Sequence, residues 1–198
     1  VSRFTNVQNQ ISGLVHKWVE DVQSDLRNFS QLSEQETDKI ENIEFLKKVW
    51  FKYDLAEKIR AEGGSFSWYD FLSSCLFEAV ASIEVKSVNQ STGASSLNYH
   101  LYKQDGLRVI AIGGNSLSRG LTLEGLCVSF FYRKSQMYDT LLQMGRWFGY
   151  RPGYEDLFKI WISAEAIDWY GYITAAAEEL KLEIRRMRDA NQIPKEFG

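Results

Sequence analysis

Several things are scarce in this 198-residue sequence, and each scarcity excludes something. Cysteine occurs twice, at Cys75 and Cys127, and histidine twice, at His16 and His100. None of the four has ligand spacing, so no structural zinc site is expected and no metal ligand is assigned. Each cysteine sits in an apolar run and is expected to act as a small core residue. No apolar run approaches the roughly 18 residues of a membrane span, and nothing at the N-terminus resembles a signal peptide. No membrane partner is therefore expected, and the cytoplasm is the expected location. The net charge is −3, so the chain as a whole lacks the basic signature of a nucleic-acid binder. Lys47-Lys48 and Arg185-Arg186 are local hints only. There is no Gly-x-x-x-x-Gly-Lys-[Ser/Thr] and no strand followed by a Walker-B acidic run. The isolated chain is thus expected neither to bind ATP strongly nor to hydrolyse it.

What is present suits a folded domain. The chain is 44% hydrophobic and 14% aromatic, long enough to bury a core, and one domain over residues 1–198 is the expectation. It begins at Val1 without an initiator methionine and is read as a piece of a longer protein.

Residues 107 to 163 organise the rest. Val109 to Ile112, Cys127 to Tyr132 and Leu157 to Ile162 are nearly continuous apolar runs of strand length. Such runs suit parallel strands covered on both faces, an α/β arrangement in which ligands collect at the strands' carboxyl ends. Gly113 to Gly125 and Gln143 to Arg151 fall where those loops belong, and each sets arginine beside glycine: Ser118-Arg119-Gly120 and Gly145-Arg146. A guanidinium donates two parallel hydrogen bonds to phosphate oxygens, and glycine lets the backbone approach closely. Two such segments flanking one strand are expected to gather two or three guanidinium groups around one anion.

The order strand, Ser-Arg-Gly-Leu-Thr-Leu-Glu-Gly-Leu, strand, Gln-Met-Gly-Arg-Trp-Phe-Gly-Tyr-Arg, strand resembles motifs V and VI of superfamily two helicases. More closely it resembles the Z1 domain, named in places as an endonuclease domain and found in large bacterial helicase-like proteins linked to restriction and DNA defence. The opening Val-Ser-Arg-Phe-Thr-Asn-Val-Gln also resembles that family's first strand and turn. The resemblance covers residues 1–29 and about 83–188. It implies a RecA-like three-layer α/β fold with a mainly parallel sheet, serving as the C-terminal lobe of a DNA-linked ATPase. ATP and Mg2+ would bind only together with a missing N-terminal RecA-like lobe, and DNA would be the second partner.

In that frame Arg146 and Arg151 are the arginine-finger candidates, and Gln143 orients water or links the arginines to the DNA side. Arg119, Gly120, Thr122 and Gly145 would shape the nucleotide-facing loops, and Arg3, Ser91, Thr92 and Ser118 would face nucleic acid. Two departures stand out. Thr122 occupies a place where many helicases carry an acidic residue, and Arg146 and Arg151 lie five residues apart instead of three, so the choice between them stays open.

Two other classes remain open. Glu84-Val85-Lys86 has the acid-x-lysine form of metal-dependent nucleases, with Asp70 upstream as a candidate second carboxylate, but the solvated face of an amphipathic strand is the favoured explanation of the tripeptide. A non-catalytic interaction scaffold is the third class.

Along the chain, Val1 to Val7 reads as a short strand, with Arg3 and Gln8 at its end. Ile11, Leu14, Val15, Trp18, Val19, Val22, Leu26 and Phe29 then recur at helical spacing. Residues 30–82 read as a helical insertion, with capping-box spacing at Ser33/Glu36 and Ser67/Asp70 and one helix from Ile40 to Ile59 ended by Gly63-Gly64. Ile83 to Val88 alternates as a strand, Gln90 to Ser96 reads as a loop, and Ala164 to Asp189 reads as a long helix.

Overall fold

A computed structural model describes residues 2–89, 97–104, 106–114, 117, 123–131, 155 and 157–190; for residues 2–4 it gives the backbone alone. The chain falls into two compact units, residues 1–120 and 121–198. Helices mix with short parallel strand pairs, so the class is α/β.

Unit one opens with α1 (Ser2–Phe29), not with a strand. Val7, Ile11, Leu14 and Trp18 continue the helical spacing back to the first turns, and Asn6, Gln8, Asn9 and Gln10 supply none of the alternation a strand needs. Helices α2 (Glu34–Thr37), α3 (Glu41–Lys52) and α4 (Leu55–Ala61) follow. The expected single helix from Ile40 to Ile59 is thus two. It breaks at Tyr53 and Asp54, where Asp54 takes a left-handed backbone with φ 49°. At the end of α4 the N–H groups of Gly64 and Gly63 bond the carbonyls of Ile59 and Arg60. That reciprocal pair places Gly63 at φ 87°, a conformation glycine adopts without strain.

Next come α5 (Trp68–Phe71), a π-helical turn (Leu72–Leu76) and α6 (Phe77–Ala81). Wider turns leave carbonyls poorly satisfied, and serine hydroxyls take them up here: Ser73 Oγ donates to Tyr69 O at 2.9 Å, and Ser74 Oγ donates to Asp70 O. The carboxyl end of α6 is closed by two distant side chains. Gln23 Nε2 donates to Val80 O and Ile83 O at 3.0 and 3.2 Å, and Arg108 Nη1 donates to Glu78 O at 3.0 Å. These bonds satisfy carbonyls that every helix end leaves over.

The core of this unit is helical. Val22, Leu26, Ile43, Trp50, Trp68, Leu72 and Leu76 pack together, with Trp50 stacked on Phe71 at 4.7 Å. Trp50 and Trp68 are therefore core and Phe71 and Phe77 pack against them, whereas Phe45, Phe51 and Phe66 are exposed. Beside it, β1 (Glu84–Val88) pairs in parallel with β2 (Val109–Gly113), Glu84 opposite Val109 and Val88 opposite Gly113.

Unit two holds β3 (Val128–Phe131) and β4 (Lys159–Ile162), again parallel, with Val128 opposite Lys159. Helix α7 (Ala164–Asp189) follows β4 directly and matches the expected span. Ser163 caps it by accepting from the Ala166 N–H at 3.2 Å, and Arg186 and Arg188 lie in its last turn, where cations suit the helix dipole.

Candidate functional site

The best-built polar feature of unit one is the carboxyl end of the β1–β2 pair. The two strands stop side by side, at Val88 and Gly113. Gln8, on the inner face of α1, reaches over both. Its Nε2 donates to Val88 O at 3.1 Å and to Ile112 O at 2.8 Å. One turn on, Ser87 Oγ donates to Ser12 Oγ at 2.9 Å. A single amide thus ties carbonyls near the ends of two strands to one helix. Such carbonyls would otherwise stand at a sheet end without ladder partners.

Gly113 is needed for this closure. A Cβ there would meet Leu117 Cγ at 2.6 Å and Val88 O at 2.8 Å. Leu117 is buried over the strand end, and its N–H closes a turn onto Gly114 O at 3.1 Å. Gly114, by contrast, has open space around it.

A second polar cluster lies on β1. Lys86 Nζ meets Glu84 Oε2 at 2.9 Å, two residues apart on one strand face. Tyr102 Oη donates to Glu84 Oε1 at 3.4 Å, and the ammonium sits 5.3 Å from the Tyr102 ring centroid. The two pKa shifts agree. The lysine holds the Glu84 carboxyl below its usual range, and the carboxylate raises Lys86. Both groups are partly solvated, so the pair contributes at most about 1 kcal/mol. Asp70 does not supply a second carboxylate to this cluster. It completes the capping box of α5, accepting from Ser67 N at 3.2 Å and Ser67 Oγ at 2.7 Å. These bonds depress its pKa, the hydroxyl contributing most. Among the described residues no group of three His, Cys, Asp or Glu is placed to hold a metal ion.

Of the residues singled out in the sequence, Gln143, Gly145, Arg146, Arg151, Arg119, Gly120, Thr122, Ser118, Ser91 and Thr92 lie outside the described residues. Arg3 belongs to the first turn of α1 and not to the end of a strand. The Lys47 hint is resolved otherwise. Its ammonium is held by Asp38 at 2.8 Å and Glu34 at 3.1 Å, and the Asp38 bond raises its pKa. Lys48 pairs with Glu44 at 2.6 Å. His100 is exposed in a short 3-10 turn, Tyr99–Tyr102. Sequence reading missed the part played by Gln8. The signal was legible: Gln8 and Ser12 are polar positions on the same face as Val15, Val19 and Val22, and polar groups on an inward face need partners.

No helix of the described residues is long and apolar enough to cross a membrane. No curated protein and no solved structure matches the chain. The model of one family, the Z1 domain, matches across residues 1–198. The chain therefore belongs to the Z1 domain family.

Proposed function

We propose that this chain is the C-terminal, RecA-like lobe of a DNA-linked ATPase of the helicase-like kind, contributing an arginine finger to a nucleotide held by another lobe. The observation that carries the reading is the shared rim. β1 and β2 run parallel in register and end together at Val88 and Gly113 beneath the Gln8 amide. The residues that follow them in sequence include Ser91 and Thr92 after one strand and Ser118, Arg119 and Gly120 after the other. Open parallel sheets place ligands at that edge. The motif resemblance supplies the rest of the reading.

In this mechanism the P-loop and the Mg2+ ligands come from a separate N-terminal lobe, since the chain has neither motif. When ATP is bound there, it supplies the phosphoryl group whose transfer drives the cycle. Arg146 or Arg151 neutralises the charge that develops on that group, Gln143 orients the attacking water, and Arg119, Gly120, Thr122 and Gly145 shape the loops facing it. Ser91, Thr92, Ser118 and Arg3 contact the DNA backbone, which small hydroxyls and guanidinium groups suit. The Glu84–Lys86 pair supports a nuclease less well, because the lysine already neutralises the carboxylate and no metal-binding trio stands beside it among the described residues.

The test uses the full-length protein. Arg146→Ala and Arg151→Ala are each assayed for DNA-stimulated ATP turnover and for ATP binding. At least one should lower turnover by about a thousandfold while leaving nucleotide affinity within a few-fold. Unchanged turnover in both variants removes the finger assignment.

A further inference from the structure

Helix α1 carries two apolar stripes, and unit one uses the first. Val19, Val22 and Leu26 are buried, with Gln8, Ser12 and Gln23 bonded on the same side. The second stripe, Val7, Ile11, Leu14 and Trp18, lies about 100° round the helix and faces out. These residues are 53%, 46%, 71% and 45% exposed. Trp18 meets Phe45 of α3 edge-on at 6.4 Å, and Phe45 is itself half-exposed, so the stripe continues onto a second helix. The flanks are unusual too. Residues 5–15 contain no charged side chain, whereas the solvent face of an amphipathic helix is ordinarily rich in charge. Depletion of charge around an apolar centre is the composition of an interface core.

We propose that this face is a self-association surface, on which α1 of a second copy packs antiparallel. The spacing of four, three and four is that of a coiled-coil seam. A two-fold axis between residues 12 and 13 sets Ile11 against the second copy's Leu14, and Val7 against its Trp18. Each pair repeats by symmetry, as an isologous contact requires, and the small Val7 meets the large Trp18. Lys17 then flanks the second copy's Gln10, so no like charges meet along the seam. A second copy fits this uncharged stretch better than a charged partner helix, which would bury its charges unpaired. The exposed parts of the five side chains form a patch on the order of a few hundred Å². Doubled by symmetry, the contact reaches the lower limit for a specific interface, about 1,000 Å², and the dimer is accordingly weak and concentration-dependent. None of this depends on the nucleotide reading.

Sedimentation velocity over a wide concentration range tests it on the 198-residue chain. The apparent mass should rise from 22.9 kDa toward twice that value as concentration increases. Leu14→Glu places a carboxylate on solvent in the monomer and inside the seam in the dimer, so it should raise the dissociation constant at least about tenfold with the far-ultraviolet circular dichroism unchanged. Ile11→Glu serves if the first variant fails to fold. Leu182→Glu, at a comparably exposed leucine of α7, should leave the association as it is. A parent chain at 22.9 kDa throughout overturns the proposal, including one that remains monomeric alone and captures a helix from another protein. Dimerisation unaffected by either α1 variant overturns it equally.

Discussion

The two strand pairs of this chain are alike in kind and unlike in cover. Both are parallel and both are short; β2, β3 and β4 come from apolar runs, and β1 from an alternating stretch. On β1–β2 an amphipathic helix lies close, Val88 is buried, and Gln8 and Ser12 bond into the strands. On β3–β4 Phe131 is buried, but Phe130 is 79% exposed, and Val128, Ile160 and Trp161 are exposed as well. The difference teaches that an apolar run encodes a strand, whereas its cover is encoded elsewhere, in the face that another element turns toward it. For β1–β2 that face is written into α1 as valines interleaved with two bonding polar residues.

The largest expected effect separates the helical core from the open strands. Leu72 is wholly buried in the core cluster, so Leu72→Ala should lower the unfolding free energy by about 2–5 kcal/mol in a urea titration. Phe130→Ala removes more atoms from an exposed site and should change it by less than about 1 kcal/mol. A Phe130→Ala cost matching that of Leu72→Ala would mean that β3–β4 is covered in solution, and the contrast would fail.

Much of this was legible in the sequence, because local signals dominate where they were legible. The 26 residues of α7, the capping boxes at Ser33 and Ser67, the parallel pairing and the Gly63-Gly64 stop all rest on spacing or on a single turn's chemistry. The misses occurred where tertiary context decides. Val1 to Val7 is too short to choose between periods alone, and continuity with Ile11 and Leu14 draws it into α1. Nothing local in Tyr53-Asp54 announces the break between α3 and α4, since a left-handed aspartate is held by its surroundings. Of the candidate site, the strand frame was legible to within one residue, the run ending at Ile112 in the sequence and β2 at Gly113 in the structure. The inward placement of Gln8 was legible, but the partners of its bonds were not, because they lie 80 and 104 residues away.

A finer contrast sits within two adjacent residues at the end of β2. Gly113→Ala drives a methyl group into Leu117 and the Val88 carbonyl, and overpacking of this kind should cost about 1–3 kcal/mol. Gly114→Ala meets nothing within 4 Å and should be close to neutral in the same thermal melt. Equal costs would show that the β1–β2 closure is looser than the distances indicate and would bring the two strand pairs closer in kind.

The smallest effect concerns how each region caps its helices. α5 begins with a reciprocal box in which the Asp70 carboxylate accepts from Ser67 and Ser67 Oγ accepts from the Asp70 N–H at 3.1 Å. α7 begins with the Ser163 hydroxyl bonded to Ala166 N–H, and the third helical residue there is an alanine. At neutral pH, Ser67→Ala and Ser163→Ala should each cost about 1 kcal/mol, the usual value of a cap. Acid should separate them. The folded-state pKa of Asp70 is depressed, so the unfolded chain takes up the proton first as pH falls. The contribution of the box is therefore complete above about pH 4, the ordinary carboxylate value, and is lost as pH falls through the lower folded value. The cost of Ser67→Ala should shrink across that window, while that of Ser163→Ala should hold, because the third helical residue there is Ala166 and not a carboxylate. Parallel pH profiles for the two variants would show that Asp70 adds nothing to the start of α5 beyond what a hydroxyl supplies at the start of α7.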